Sequence, residues 1–268
     1  MTEITHVFID VDGTIVQHDQ SIHPKTKEAI SLAQEAGINI WLATGRPVHE
    51  LDPLLQTLNI HHVIGYNGAY ARKNHTVIYE KHMDEDLVDY FVDTVKKNEQ
   101  ELVLYSDTHN LFSSFKPSYV QKFIDHFGIT LNERYTTEAR ARIYGMTLLN
   151  CKDEDLARYQ KDVSLYFSQV NVTGMTDHYD VIQQDVNKGK AIDAVLKAEH
   201  IPHAHAAAIG DGMNDKDMLE TVGIGIAMGN AHPDLLAYAD YTTKTVDEGG
   251  LYDAFSYLGI IPHAKTND

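Results

Sequence analysis

The stretch Thr5-His6-Val7-Phe8-Ile9-Asp10-Val11-Asp12-Gly13-Thr14 limits what this chain can fold into more than any other. Val7, Phe8 and Ile9 form a short apolar, β-rich run, the pattern of a strand buried on both faces. Two carboxylates come next, one residue apart, and Asp12-Gly13 reads as a turn. An unpaired buried charge is too costly for the middle of such a strand. Asp10 and Asp12 therefore belong at its C-terminal end, which in an open α/β sheet is the end where ligands bind. Residues i and i+2 of a strand point the same way, so both carboxylates are expected to face one site. They repel unless a cation lies between them or one keeps its proton. The first outcome is a hard, oxygen-lined Mg²⁺ site, the second a nucleophile beside a general acid. A solvated acidic turn is the plain alternative, and the rest of the chain has to decide between them.

Beyond the aspartates the chain has a βα rhythm. Ala29, Leu32, Ala33 and Ala36 share one helical face, with Pro24 suited to the first turn and Gly37 to the C-terminal cap. Ile38 to Ala43 is a second strand-like run and ends in Thr44-Gly45-Arg46-Pro47. Val48, Leu51, Leu55 and Leu58 predict a helix, and Val63-Ile64 a third strand leading to Tyr66-Asn67-Gly68. This order argues for βαβ units and a parallel sheet. It puts Thr44 at the same sheet edge as Asp10, where its hydroxyl and the following amides suit a phosphate oxygen. Asn67-Gly68 reads either as a plain turn or as a substrate-facing loop.

Arg72 to Lys81 predicts a hairpin turning at Asn74-His75, and near Met83 the pattern changes. A helix is expected through Leu87, Tyr90, Phe91 and Val95, strands at Leu102–Tyr105 and Leu111–Phe115, a helix at Tyr119–Phe127 and a strand at Ile143–Leu149. A third helix over roughly Asp153–Phe167 and strands near Val170–Thr173 and Asp180–Gln183 complete a separate α+β unit at about 82–184. Its aromatics Tyr90, Phe91 and Phe123 read as core. The βα rhythm then returns. Asn187-Lys188-Gly189-Lys190 opens a helix, and Ala206–Ile209 is a buried strand ending in Gly210-Asp211-Gly212-Met213-Asn214-Asp215. Next come a helix to Val222 and a strand at Ile224–Met228, ending in Gly229-Asn230-Ala231. The tail reads as a helix, a short strand at Tyr241–Thr243 and a last helix from about Gly249 to Leu258. Gly223-x-Gly225-x-x-x-Gly229 lies within and after a strand, so it reads as backbone packing rather than a dinucleotide loop. The fold class is thus α/β, a Rossmann-like three-layer αβα core with a parallel sheet. The core is discontinuous (1–81 and 185–268), with an α+β domain (82–184) inserted.

Charge and composition narrow the partners. With 22 basic and 39 acidic residues the formal net charge is −17, which disfavours nucleic acid and anionic membrane. An anionic substrate would need a local cation or lysine. Cys151 is the only cysteine, which excludes an intrachain disulfide and fits a reducing cytoplasm. No apolar run approaches the roughly 18 residues of a membrane span. Of the sixteen histidines, His61-His62 and His203-x-His205 fall in polar connections and no His-Glu-x-x-His occurs. Solvated loop histidines are expected there, not a zinc site.

Four groups of chemistry-bearing residues thus lie at strand ends or helix starts: Asp10 with Asp12, Thr44, Lys188, and Asp211 with Asn214 and Asp215. In this order they resemble the four motifs of the haloacid-dehalogenase superfamily of phosphatases, Cof type, over essentially the whole chain. Asp10-Val11-Asp12-Gly13-Thr14 is similar to the first, Thr44-Gly45-Arg46 to the second, Lys188 in Asn187-Lys188-Gly189 to the third and Gly210–Asp215 to the fourth. The resemblance implies a cytoplasmic, Mg²⁺-dependent phosphatase of small phosphorylated metabolites such as sugar phosphates. Asp10 would be the nucleophile and Asp12 the general acid and base. The Asp10 carboxylate, the Asp12 carbonyl and Asp211 would hold Mg²⁺. Thr44, Gly45, Lys188 and Asn214 would hold the phosphate, and Asp215 would support Lys188 or a water at the metal. It also implies that the inserted domain is a cap that sets specificity. A phosphomutase or phosphotransferase using the same aspartyl-phosphate is the first alternative, and a silent phosphometabolite-binding protein the second. Lys188 alone reads as an ordinary exposed helix-start lysine, but a cation is slightly disfavoured at a helix N-terminus, so its placement hints at a nearby anion.

Overall fold

In the computed structural model, which describes residues 3–160, 164–170 and 176–262, the run after Thr5 is strand β1 (His6–Ile9), buried at every residue. It is the centre of one of two units. The first comprises 1–45, 53–80 and 187–268, the second Arg46–Asp52 and Lys81–Val186. The segment Arg46–Asp52 therefore groups with the second unit, although it lies within the stretch read from sequence as core.

The first unit continues through α1 (Pro24–Glu35), β2 (Asn39–Ala43), α2 (Asp52–Leu58), β3 (His62–Gly65), β4 (Tyr70–Lys73) and β5 (Thr76–Glu80). After the second unit come α5 (Lys188–Ala198), β12 (Ala206–Gly210), α6 (Lys216–Thr221), β13 (Ile224–Ala227), β14 (Tyr241–Thr242) and α7 (Gly250–Tyr257). Among the described residues its sheet runs β14-β13-β12-β1-β2-β3-β4-β5. All neighbours are parallel except the β3-β4-β5 edge. Phe8 and Trp41 are fully buried with ring centroids 5.9 Å apart. On the same face Ala191, Ile192 and Val195 of α5 and Met218 and Leu219 of α6 complete one cluster. Burying a side chain of this size contributes roughly 1.5–3 kcal/mol. Helices α1 and α7 pack on one another outside that cluster and cover the opposite face, which carries Val7, Ile9, Ile40 and Leu42. The α/β sandwich expected from the βα rhythm is present.

The second unit holds α3 (Glu85–Lys97), β6 (Glu101–Tyr105), β7 (Asn110–Phe112), α4 (Ser118–Phe127), β8 (Asn132–Arg134), β9 (Gly145–Leu149), β10 (Leu165–Gln169) and β11 (His178–Gln183). Its described strands are ordered β10-β11-β9-β6-β7-β8 and are antiparallel except for β7 with β8. Leu102 and Leu104 alternate with Val103. The first two meet Val88, Phe91 and Val95 of α3, whereas Val103 meets Val120 and Phe123 of α4. The sheet is therefore covered on both faces.

Several sequence expectations need correction. The helix expected from Val48 to Leu58 is a 3₁₀ turn (Val48–Glu50) followed by α2, because Pro53 can enter only a first turn. The helix expected over Asp153–Phe167 is a 3₁₀ segment at Asp153–Arg158, and Leu165–Gln169 is a strand paired with β11. Residues 161–163 lie outside the described residues, as do Asn171–Thr173 of the strand expected after Val170. His62 is not a loop histidine. It opens β3, half-buried with its ring 5.1 Å from Trp41, and His6, His49 and His178 are buried. No helix among the described residues is long and apolar enough to cross a membrane.

Candidate active site

Strands β1 and β12 are parallel neighbours in the register Ile9↔Ile209, and the Asp10 N–H donates to the Ile209 carbonyl at 2.9 Å. The chain leaves β1 toward β2 and returns at β12 on the other side. The two C-terminal ends therefore form a topological switch point, where an open sheet leaves a crevice. Asp10 follows the last residue of β1, and Asp211 follows the last of β12.

Lys188 links the two ends. Asn187 caps α5 by accepting from the Lys190 N–H at 2.8 Å, which makes Lys188 its first helical residue. The Lys188 side chain is wholly buried. Its Nζ donates to Asp10 Oδ1 at 2.6 Å and to Asp215 Oδ1 at 2.5 Å. The other oxygen of Asp215 accepts the backbone N–H groups of Asp211 (2.9 Å) and Gly212 (3.0 Å). Asp215 thus anchors the lysine and shapes the turn that carries Asp211. Burial works against the Lys188 ammonium, but Asp10 and Asp215 more than offset it and hold the lysine above its ordinary range. Burial likewise pushes the Asp10 carboxyl well above the usual carboxylate range. Lys188 opposes that push, and Asp215 and Asp211 add to it.

Carboxylate oxygens of Asp10, Asp211 and Asp215 lie within 4.8 Å of one another, the one such group of possible metal ligands among the described residues. Burial, Asp215 and Asp12 push Asp211 up to about 7 against the pull of Lys188. Three converging carboxylates answered by one ammonium leave a local excess of negative charge. The donor set is oxygen only. Both properties fit a hard divalent cation such as Mg²⁺.

Asp12 sits differently from the strand-based expectation. Strand β1 ends at Ile9, Asp12 bridges to Val16, and Gly13 turns with φ 78°. Strand alternation therefore no longer applies, and Asp10 is buried while Asp12 is exposed. The Asp12 carboxylate is not one of the three that converge, yet it is near enough to act on Asp211. Gly13 is required here for a second reason: a Cβ on it would fall 2.2 Å from Asp211 Oδ2.

Thr44 is buried just past β2, with its N–H on the Ile64 carbonyl at 2.9 Å, and Gly45 beside it is exposed. Asn214 is exposed and donates through Nδ2 to Asn67 Oδ1 at 3.2 Å. Two further asparagines therefore belong to this site, one of them in the Asn67-Gly68 turn that the sequence left open as a substrate-facing loop. Asn67 is one. Asn230 is the other: its Nδ2 donates to the Gly13 carbonyl (2.9 Å) and Asp211 Oδ2 (3.3 Å), and its Oδ1 accepts the Val246 N–H (2.8 Å). The only local signal for either is its place after a strand, at the edge where Asp10 lies.

The family model described as haloacid dehalogenase-like hydrolase matches residues 7–255. The HMP-PP phosphatase of Enterobacter sp. (strain 638) is 28% identical over 238 residues, covering 85% of each chain. Among solved structures, a protein of Geobacillus kaustophilus HTA426 superposes with a TM-score of 0.88 at 25% identity, over 96% of this chain and 100% of that one. The HAD subclass IIB sugar phosphatase BT4131 superposes with a TM-score of 0.80 at 27% identity, over the same shares. The chain belongs to the haloacid dehalogenase-like hydrolases, and it is a phosphatase.

Proposed function

We propose that the protein is a Mg²⁺-dependent phosphatase that hydrolyses small phosphorylated metabolites, sugar phosphates foremost, through an aspartyl-phosphate. One observation carries this reading. Asp10 lies at the end of the central strand with one carboxylate oxygen on Lys188, beside the carboxylates of Asp211 and Asp215. The names of the relatives agree with it: one is an HMP-PP phosphatase and a structural neighbour is a sugar phosphatase. The first unit is read as the hydrolase core. The second is read as the inserted cap that selects the substrate.

In this reading an Asp10 oxygen attacks phosphorus, and the bond from phosphorus to the ester oxygen breaks. Asp12 gives its proton to the leaving alkoxide. The Asp12 carboxylate then takes a proton from the water that attacks the aspartyl-phosphate, which releases inorganic phosphate and restores Asp10. Thr44, the Gly45 N–H, Lys188 and Asn214 hold the phosphate oxygens as charge builds on them. The Asp10 and Asp211 carboxylates and the Asp12 carbonyl would hold Mg²⁺. Bound there, the cation would offset repulsion between the carboxylates and the incoming phosphate.

The test is a panel of phosphorylated sugars and related monoesters, assayed for released phosphate with Mg²⁺ and after exhaustive chelation. Phosphate release that needs Mg²⁺ supports the reading. Undiminished hydrolysis after chelation overturns the metal assignment, and transfer to an added sugar hydroxyl in place of water identifies a phosphotransferase.

A further inference from the structure

We propose that Asn67 is a positioning residue, one that sets the phosphate clamp by fixing Gly45 and Asn214 relative to each other. This inference rests on the phosphatase reading above. The turn Tyr66-Asn67-Gly68 follows β3 and touches three of the four chemistry-bearing segments. The Asn67 N–H donates to the Thr44 carbonyl at 3.0 Å. Its side-chain Oδ1 accepts from Asn214 Nδ2 at 3.2 Å. Its amide also lies over Gly45, where a Cβ would come 3.0 Å from Oδ1 and 3.2 Å from Nδ2. Gly68 packs on the backbone that leads into Lys188, since a Cβ there would fall 2.2 Å from the Asn187 carbonyl oxygen and 2.9 Å from the Lys188 nitrogen.

The backbone of this turn is unusual. Tyr66 has φ 52° and Asn67 φ 54°, so two successive residues other than glycine occupy the left-handed region. Asparagine tolerates that region and tyrosine does not, so the surroundings must enforce it. A turn whose only task was to reverse the chain would be easier to build with glycine at position 67. The asparagine side chain is therefore kept for what its amide reaches. Asn214 is exposed, and an exposed amide with no fixed neighbour spends its time in several rotamers. Hydrogen-bonding it to Asn67, which is in turn bonded to Thr44, prepares one arrangement before a phosphate arrives. That lowers the ordering cost of binding.

Asn67→Gly is the informative variant because glycine suits φ 54°. Its Tm is expected to be unchanged or higher. With p-nitrophenyl phosphate its KM, and with inorganic phosphate its inhibition constant, should each rise about 10-fold, the effect of losing one hydrogen bond near a charged ligand. In an Asn214→Ala background the same change should add less than about 2-fold, because the two residues act as one unit. Wild-type KM and inhibition in Asn67→Gly would overturn the proposal, as would losses that multiply in the double variant. Should Asn67→Gly lower Tm, the cycle still decides, since general loosening weakens binding equally in both backgrounds. If the wild-type protein hydrolyses no phosphomonoester, it is the phosphatase reading that fails. If it does and Asn67→Gly matches it, only the role of Asn67 fails.

Discussion

Lys188 Nζ lies 2.6 Å from Asp10 Oδ1, and no part of the lysine side chain reaches solvent. The same ammonium is 2.5 Å from Asp215 Oδ1, so one buried cation answers two buried carboxylates. Lys188→Met would leave both anions without it. The expected loss is about 3–5 kcal/mol of unfolding free energy, the cost of breaking a buried pair from one side. Urea denaturation in metal-free buffer measures it. Turnover should fall at least about 100-fold, as for loss of a preorganised donor at the reacting charge.

Asp10 and Asp12 should separate kinetically. Asp10→Asn keeps shape but loses the nucleophile, so it should give neither turnover nor phosphoryl-enzyme. Asp12→Asn keeps the nucleophile and loses the acid and base. Sugar phosphates, with poor leaving groups, should become very slow. p-Nitrophenolate leaves without a proton, so p-nitrophenyl phosphate should still phosphorylate Asp10, and the intermediate should accumulate. Rapid mixing with Mg²⁺ should show a burst of p-nitrophenol in Asp12→Asn alone, and mass spectrometry should locate the phosphoryl group on Asp10. The opposite pattern would exchange the two roles, and equal slow turnover without a burst would reject a covalent step.

In the second unit Asp180 Oδ1 accepts from Thr147 Oγ1 at 2.6 Å, and burial pushes Asp180 from 3.8 to about 6. A raised folded-state value means the contribution to stability is fully present below pH 3.8 and lost as pH rises through about 6. At pH 8 the ionised group is therefore a liability. Asp180→Asn should stabilise the protein at pH 8 by about 1–2 kcal/mol, discounted from the full shift because the residue is half-buried. At pH 4 it should change little. Paired thermal melts at the two pH values check the sign, and an equal effect at both would rule out titration of Asp180 as the cause.

Glu50 Oε1 accepts from Asn110 Nδ2 at 2.6 Å and from the N–H groups of Thr130 (3.1 Å) and Leu131 (3.3 Å). Glu50→Ala should cost about 1–3 kcal/mol by removing that shared acceptor. Glu50→Gln, which keeps an acceptor oxygen, should cost less. Hydrogen exchange at the Thr130 and Leu131 amides should quicken in the alanine variant first.

The parts of this molecule that could be read from sequence are those set by local pattern. Val7-Phe8-Ile9, Ile38–Ala43 and Ala206–Ile209 announce buried strands because both faces are apolar, and the helix opening at Asn187 carries its own cap. The misread segments depend on distant partners. Leu165–Phe167 falls at the end of the stretch read as helix, yet Leu165–Gln169 is a strand because β11 offers it an edge. Asn132–Arg134 is too short and polar to signal itself and is a strand because β7 runs beside it. The acidic cluster shows the same division. The positions of Asp10 and Asp211 just past strand ends, and of Asp215 at the start of α6, are local facts, whereas the convergence of their oxygens depends on the β1–β12 register. Asn67 and Asn230 are tied to the site by hydrogen bonds to residues far along the chain, and sequence spacing carries no trace of those.

The membership of Arg46–Asp52 in the second unit has a practical consequence for anyone who wishes to graft one. The polypeptide passes between the units at Gly45/Arg46, Asp52/Pro53, Glu80/Lys81 and Val186/Asn187. A transplant of 81–186 alone would leave behind the Glu50 carboxylate that Asn110 and the Thr130 and Leu131 amides require, and the His49 ring that is 2.9 Å from Asn110 Oδ1. The exchangeable module is therefore two pieces of chain. A chimera that imports the donor's equivalent of Arg46–Asp52 together with the long insertion should express as folded protein, while one that imports the insertion alone inherits donor amides facing a foreign loop.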